Sequence, residues 1–224
     1  MYISKKSSKF VAKFVDMKVK EFVFGPFATN CYVVSEGGEA WIIDPACATE
    51  YEQQVLLRYI ETEGLTVTAL IATHGHLDHL WGAAWACRQW GMPVLMHEAD
   101  IPMAQAMQEQ YDLFGVRAKA EPFEMNGLKS LGRGEAATGR PLAYRLELIE
   151  TPGHTPGSVC LYWKEDGILL SGDTLFCMGY GRTDLPGGNT AELIASLEYL
   201  FTLPPVTRVF PGHGESTTIG AERR

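Results

Sequence analysis

The stretch Thr73-His74-Gly75-His76-Leu77-Asp78-His79 is the most informative part of this 224-residue chain. It places three imidazoles and a carboxylate within six residues. Left unpaired in a core, such groups would cost several kcal/mol each, so their density indicates metal ligands. Residues 67–72 form a short apolar run typical of a buried strand, and residues 80–87 predict a helix. We therefore expect a ligand loop at the carboxyl end of a strand, where open α/β sheets place their sites.

Further candidate ligands follow at three later places in the chain. His154, Asp173 and His213 each come after an apolar, strand-like segment, and each lies beside glycine or proline. Five of the six histidines thus occupy loops that follow strands, and we expect them to meet at one edge of the fold. The sixth, His97, is predicted to close a short strand as a structural residue. The alternative for His97 is a role in orienting a metal ligand.

These segments together resemble the metallo-β-lactamase superfamily of hydrolases. The His-x-His-x-Asp-His run at 74–79, the Gly-His at 153–154, the Gly-Asp at 172–173 and the Gly-His at 212–213 occur in the order and with the spacing of that family. The resemblance covers nearly everything from residue 17 to residue 223. It implies an α/β fold of the metallo-β-lactamase type, a four-layer αββα sandwich.

The resemblance also implies a pair of metal sites, and it divides seven residues between them. The first metal would be held by His74, His76 and His154, the second by Asp78, His79 and His213, with Asp173 bridging the two. Two of these residues, Asp78 and Asp173, are expected to be catalytic as well. Imidazole and carboxylate ligands suit zinc, iron or manganese. We expect two divalent ions per chain, with zinc first and iron or manganese as alternatives.

Within the superfamily the chain most resembles a short form of the glyoxalase II-like branch, the hydroxyacylglutathione hydrolases. The matching segments are residues 29–32, 151–158 and 171–176. This resemblance implies that a metal-bound hydroxide attacks a thioester carbonyl, as in S-lactoylglutathione or a related thioester. Full-length members have a C-terminal helical region that helps to bind glutathione, whereas this chain ends ten residues after Gly214. We therefore expect weaker glutathione binding, or another thioester or ester as the substrate.

A second resemblance leaves the reaction open. The segment Gly179-Tyr180-Gly181-Arg182-Thr183-Asp184 is similar to a stretch of the persulfide dioxygenases, which hold a single iron. Their iron ligands match His74, His154 and Asp173. A lactone or ester hydrolase of the same fold is a further alternative, because lactonases of the family share all seven ligands.

Two residues of that segment, Tyr180 and Arg182, are the candidate substrate-binding residues. The competing interpretation of Arg182 is a salt bridge with Asp184 that braces the loop. The number of metals per chain would discriminate between the two reactions, because two ions favour hydrolysis and one iron favours the oxygenase.

Composition narrows the class of partner and the domain organisation. The net charge is −8, and no cluster of lysine and arginine lies beside the motifs, so a nucleic-acid substrate is not expected. No apolar run is long enough for a membrane span. Five cysteines without a Cys-x-x-Cys pair predict reduced thiols and a cytoplasmic protein. Residues 1–16 are expected to be a flexible extension, and residues 17–224 a single domain; the oligomeric state is not indicated.

Local signals predict the remaining elements. A hairpin is expected over residues 30–44, and a capping box at Thr49 predicts a helix to about Glu63. Residues 100–114 predict a further helix, residues 126–140 a loop or hairpin, and Asn189 the start of a last long helix.

Overall fold

The computed structural model describes residues 17–128 and 141–223. The expected extension over residues 1–16 lies outside the described residues, so the division of the chain at residue 16 stays a prediction. Most of the expected loop at 126–140 also lies outside them.

The first sheet contains six strands. They are β1 (Lys18–Phe24), β2 (Thr29–Glu36), β3 (Glu39–Ile43), β4 (Thr66–Ile71), β5 (Val94–Met96) and β6 (Met125–Gly127). They lie in sequence order, with antiparallel pairing from β1 to β3 and parallel pairing from β3 to β6. The predicted hairpin is confirmed, and its turn uses Gly37 and Gly38 at φ values of 60° and 88°, which glycine adopts without strain.

The second sheet contains five strands, and a separate short hairpin contacts two of them, the third and fourth in chain order. The sheet strands are β7 (Leu146–Glu150), β8 (Val159–Trp163), β9 (Ile168–Gly172), β12 (Arg208–Pro211) and β13 (Thr217–Thr218), and the hairpin is β10 (Leu175–Phe176) with β11 (Gly179–Tyr180). The order is β13-β12-β9-β8-β7. Because β8 is antiparallel to both neighbours and β12 is parallel to β9, the strands β7, β9 and β12 all end at the same edge.

Seven helices are present in the described ranges. They are α1 (Glu50–Thr62), α2 (Ala83–Trp90), α3 (Ile101–Gln105), α4 (Met107–Leu113), α5 (Pro141–Tyr144), α6 (Thr190–Leu200) and α7 (Ile219–Glu222). The capping box of α1 is present, because the side chains of Thr49 and Glu52 bond to each other's backbone N–H groups. Asn189 caps α6 as predicted. None of these helices is both long enough and apolar enough to cross a membrane.

The expected helix over residues 100–114 is not continuous, and the prediction was wrong on this point. A 3₁₀ turn over Glu98–Asp100 leads into α3, and the chain leaves helical geometry at Ala106 before α4 begins. The side-chain amide of Gln110 donates to the carbonyl of Met103 at 2.9 Å, next to this break. Two short helices therefore replace the single predicted helix.

Alternation along the strands builds three separate core layers. In β8, Leu161 and Trp163 face the first sheet, while Cys160 and Tyr162 face α6. Trp163 meets Trp41 of the first sheet with ring centroids 6.0 Å apart. A third cluster fills the space between the first sheet and α1, α2 and α4. Helices therefore cover the outer face of each of two packed sheets, which confirms the expected four-layer αββα sandwich.

Candidate metal centre

The seven residues of the predicted metal site meet at one edge of the two sheets. The loop 73–79 follows β4, whereas His154, Asp173 and His213 follow β7, β9 and β12. Since these strands end at a common edge, residues far apart in sequence become neighbours. His213 Nε2 lies 3.1 Å from Asp78 Oδ2, although 135 positions separate the two residues.

The side chains form two compact triads. His74, His76 and His154 form what we call the first triad, and Asp78, His79 and His213 form the second triad. In each triad, one ligand atom from every residue lies within 4.8 Å of the others.

Asp173 lies between the two triads. Its Oδ2 is 3.5 Å from Nε2 of His154 in the first triad and 3.5 Å from Nε2 of His213 in the second. Its Oδ1 faces His79 Nε2 at 3.3 Å. One carboxylate thus faces both triads, as a bridging ligand must.

Unsatisfied buried atoms show that the cluster fits a metal pair. His74 Nε2, His79 Nε2 and Asp173 Oδ1 are buried and form no hydrogen bond. Leaving such atoms unpaired is destabilising by about 1–3 kcal/mol each, and a divalent ion would satisfy all of them. A Cβ at Gly212 would overlap with Asp173 Oδ1 and lie 2.7 Å from His79 Cε1. The glycine of the Gly-His pair at 212–213 is therefore required by the close approach of its loop to the ligands.

Hydrogen bonds fix which ring nitrogen three of the histidines present. Nδ1 of His79 donates to Asp44 at 2.9 Å, and Nδ1 of His154 donates to the backbone carbonyl of Arg182 at 2.7 Å. Nδ1 of His74 lies 3.1 Å from Thr73 Oγ1, whose own proton goes to Asp44. With Nδ1 engaged as a donor, Nε2 is the ring nitrogen left to bind a metal.

In the first triad, the surroundings of His74 and His76 favour the neutral form of the imidazole. Burial, followed by the nearby His79, holds the pKa of His74 well below its ordinary value. Burial and the neighbouring His154 lower the pKa of His76 to about 4. His76 Nδ1 and His154 Nε2 lie only 2.9 Å apart. Near neutral pH, His74 and His76 are therefore unprotonated and ready to bind a cation.

The second triad has the opposite character. Burial lowers the pKa of His79, but neighbouring carboxylates, first among them Asp78, outweigh burial and hold this pKa well above its ordinary value. Partial burial lowers the pKa of His213, but its hydrogen bond to Asp78 and the charge of Asp173 together outweigh burial and raise it. Burial raises the pKa of Asp78, yet His79 and further partners reverse the effect and lower it. The raised pKa of both imidazoles and the lowered pKa of Asp78 indicate that attraction between opposite charges outweighs burial in this triad.

Asp44 is a supporting residue that sequence reasoning missed. It accepts hydrogen bonds from Thr73 N at 2.7 Å, Thr73 Oγ1 at 2.7 Å and His79 Nδ1 at 2.9 Å. Its backbone has a φ of 53°, a conformation that non-glycine residues rarely adopt and that often marks functional sites. The only signal in the sequence was its position directly after β3.

Asp100 is a second supporting residue that was missed. Fully buried, it accepts from Gly75 N at 2.8 Å, Thr155 Oγ1 at 2.6 Å and Gly157 N at 2.6 Å. It thereby ties the loop of His74 and His76 to the loop of His154. The sequence had suggested only a helix start at this position.

The early motif at residues 29–32 supports the second triad. Thr29 Oγ1 donates to Asp78 Oδ2 at 2.8 Å. Asn30 Nδ2 donates to the carbonyls of Pro211 and Gly214 at 2.9 Å each, and Tyr32 donates to the carbonyl of Pro211 at 2.7 Å. These bonds hold the loop that carries His213.

The two candidate substrate residues line an open pocket beside the ligands. This pocket, here the metal pocket, has a volume of about 400 Å³, and both Tyr180 and Arg182 contribute to its wall. Arg182 forms a two-pronged ion pair with Asp184, at 2.6 Å and 2.7 Å. Both side chains of the pair are exposed. The loop-bracing interaction therefore exists, and it leaves Arg182 on the surface of the pocket.

His97 has a structural position. Its Nδ1 accepts from Ala99 N at 3.2 Å and so caps the 3₁₀ turn, while its Nε2 faces Glu150 at 3.4 Å. Neither of these contacts is to one of the seven proposed metal ligands.

An αββα sandwich with histidine and aspartate clusters at its strand ends defines a class of metal-dependent enzymes. Residues 24–213 match the sequence profile of the Metallo-beta-lactamase superfamily, and the chain belongs to this family.

Individual relatives agree with this assignment. The chain is 36% identical over 210 residues to the "Probable metallo-hydrolase YqgX" of Bacillus subtilis, covering 92% of this chain and 95% of that protein. It is 32% identical over 201 residues to the "Hydroxyacylglutathione hydrolase GloC" of Haemophilus influenzae, with coverage of 88% and 91%. Among solved structures, it is similar to TTHA1623 in a di-iron-bound form, with 35% identity, a TM-score of 0.79 and coverage of 92% and 98%.

Proposed function

We propose that this protein is a two-metal hydrolase that cleaves thioesters, with S-lactoylglutathione or a related thioester as substrate. The observation that carries the proposal is the position of Asp173, whose two oxygens face His79, His154 and His213 at 3.3–3.5 Å. A carboxylate placed between two complete triads suits a pair of ions better than a single one.

The seven side chains would hold the metals as their positions indicate. The first triad would bind one ion, the second triad the other, and Asp173 both. Two ions held this way would generate a nucleophile from water at neutral pH and polarise a carbonyl. Asp78 and Asp173 would act as catalytic ligands, since their charges face the reacting centre. A thioester suits this arrangement, because a thiolate leaves without a strong general acid.

The nature of the metals follows from the donor set. All seven donors are imidazole nitrogens or carboxylate oxygens, which suit zinc, iron and manganese alike. We propose two divalent ions per chain, with zinc first. The di-iron form of the similar TTHA1623 supports two ions per chain and supports iron as an alternative to zinc.

The thioester assignment draws on a relative and on the pocket wall. The Haemophilus influenzae relative is named for hydroxyacylglutathione hydrolysis. Tyr180 and Arg182 line the metal pocket and would contact the polar thiol carrier. The exposed position of Arg182 allows it to reach a carboxylate of glutathione while still paired with Asp184.

A second candidate is a persulfide dioxygenase with one iron at His74, His154 and Asp173. The observation that favours it is the link between the Gly-Arg-Thr-Asp segment and the ligands, since the carbonyl of Arg182 accepts from His154 Nδ1 at 2.7 Å. The complete second triad argues for the hydrolase, because a single-iron enzyme would leave Asp78, His79 and His213 idle. Lactone or ester hydrolysis would use the same two-metal site.

Metal analysis combined with a substrate panel tests the proposal. Protein purified without added metal should contain two ions per chain by mass spectrometry and should cleave S-lactoylglutathione. One iron per chain, with oxygen uptake on glutathione persulfide and no thioester cleavage, would establish the second candidate. Two metals without thioester cleavage would leave the lactone or ester hydrolase.

A further inference from the structure

We propose that an apolar groove beside the metal pocket binds the acyl chain of the thioester, so that acyl groups longer and less polar than lactoyl are preferred. This inference rests on the proposed thioester hydrolysis and specifies its substrate class.

The groove is a cavity of about 560 Å³ at the break between α3 and α4. Its walls are mainly apolar and include Pro102, Met103, Ala106, Leu113, Phe114 and Leu185. Ala106, the non-helical residue between α3 and α4, lines the cavity together with residues of both helices. The break that the sequence did not predict is therefore part of the groove.

The groove is continuous with the metal pocket. His76, Phe114 and Leu185 line both cavities. His76 belongs to the first triad, so the groove begins at a ligand of the proposed first metal. A carbonyl positioned at the two triads would therefore have one of its two substituents within reach of the groove.

The charges on the two walls favour one orientation of the thioester, with the acyl chain in the groove and the thiol carrier in the metal pocket. The charged side chain on the groove wall is Glu109, which is exposed and disfavours the carboxylates of a glutathione-like carrier. The cation Arg182 and the hydroxyl of Tyr180 line the metal pocket instead. A polar carrier thus fits the side of Tyr180 and Arg182, and an uncharged acyl chain fits the groove.

Exposed apolar side chains of the groove and the metal pocket also favour an acyl chain. Leu113 is 62% exposed, Phe27 42% and Phe114 38%. Phe27 packs edge-on against Phe114, with ring centroids 5.8 Å apart, and joins this surface to the metal pocket. Covering such surface with an acyl chain is favourable in proportion to the apolar area removed from water.

A series of S-acylglutathiones tests the inference on the metal-loaded enzyme. The carrier stays constant while the acyl group runs from acetyl through butanoyl and hexanoyl to octanoyl, with lactoyl as reference. We expect kcat/KM to rise about two- to fourfold for each methylene that enters the groove. S-Lactoylglutathione should be a poorer substrate than the hexanoyl thioester.

Three variants locate the effect. Ala106→Phe should fill the groove and remove most of the gain from hexanoyl and octanoyl while leaving the acetyl thioester nearly unchanged. Leu113→Ala should reduce the gain for the same two substrates. Ile194→Ala is the matched control, because Ile194 is a 52% exposed aliphatic residue on α6 that lines neither cavity. Metal content, measured for each variant, shows whether the centre is intact.

The outcomes separate this inference from the proposed function. If all thioesters are cleaved at rates independent of chain length, or if Ala106→Phe leaves the profile unchanged, the groove assignment is wrong and the thioesterase stands. If no thioester is cleaved, the proposed function fails. Calorimetric titration with the uncleavable thioethers S-methylglutathione and S-hexylglutathione then tests the groove. Tighter binding of the hexyl compound, lost in Ala106→Phe, would support the groove assignment. Equal binding of the two compounds would overturn it.

Discussion

The two triads differ in composition and in electrostatic state. The first holds three histidines, and burial and neighbouring imidazoles lower the pKa of His74 and of His76. The second pairs two histidines with Asp78, and carboxylates outweigh burial and raise the pKa of His79 and of His213. A metal that enters the first triad meets neutral imidazoles at His74 and His76, whereas the raised pKa of His79 favours a proton that competes with the metal. We therefore expect the two sites to differ in metal affinity.

The largest expected effect comes from the residue that the triads share. Asp173→Ala should lose hydrolytic activity by orders of magnitude and should lower the metal content, because one carboxylate faces both triads. Elemental analysis and thioester assays on the same preparation measure both effects. If the variant keeps two metals and near-normal turnover, the triads do not share Asp173 and are two independent sites.

The next largest effects are expected at Asp44 and Asp100, the aspartates that support the triads. Asp44→Asn should weaken metal binding more at the second triad, by roughly 10–100-fold, because Asp44 contacts His79 directly and His74 only through Thr73. Asp100→Asn should act mainly on the first triad, because Asp100 joins the loops of His76 and His154. It should also lower the free energy of unfolding by about 1–3 kcal/mol, since an amide cannot accept all three hydrogen bonds.

Titration of each variant with a chromophoric chelator as competitor resolves the two affinities. The variants serve as controls for each other, because both replace a buried carboxylate by an amide. Equal losses at both sites in both variants would show that the triads respond as one unit.

A third effect concerns pH. In the metal-free protein the pKa of His79 is held well above its ordinary value, so protons compete with metal at this residue. His76, with a pKa of about 4, releases none above pH 5. As the pH falls from 8 to 6, the metal affinity of the second triad should therefore fall more steeply than that of the first. Calorimetry in buffers of different ionisation enthalpy counts the protons released as each metal binds. Equal release at both binding steps would show that the two triads do not differ in this respect.

The smallest effect is expected at the pocket wall. Arg182→Ala removes an exposed ion pair, and such pairs contribute little to stability, so the melting temperature should fall only slightly. If Arg182 contacts the carrier, KM for S-lactoylglutathione should rise several-fold with kcat almost unchanged. Asp184→Ala is the control, since it breaks the same pair and keeps the cation. Unchanged kinetics in Arg182→Ala would reduce the residue to a brace of the loop.

Sequence reasoning captured the parts of the molecule that local chemistry determines. The strands before His74, His154, Asp173 and His213 were visible as apolar runs, and the alternation in β8 and its neighbours builds the predicted sandwich. The electrostatic contrast between the triads was not visible, because it depends on burial and on partners distant in sequence.

The supporting residues and the groove escaped prediction for the same reason. Asp44 reaches His79 across 35 positions, and Asp100 reaches Thr155 across 55. The break at Ala106 has no glycine, and the one proline of this region, Pro102, lies in the first turn of α3. The position of the break is set by tertiary contacts, such as the hydrogen bonds of Gln110 to Leu77 N and Gly75 O.

Anomalous diffraction from crystals of the metal-loaded protein tests the two-triad account most directly. The account predicts two peaks per chain, one bonded to His74, His76 and His154 and the other to Asp78, His79 and His213, at about 2.0–2.2 Å for zinc. Asp173 should contact both. A single peak at the first triad, or two peaks of which only one touches Asp173, would contradict the account.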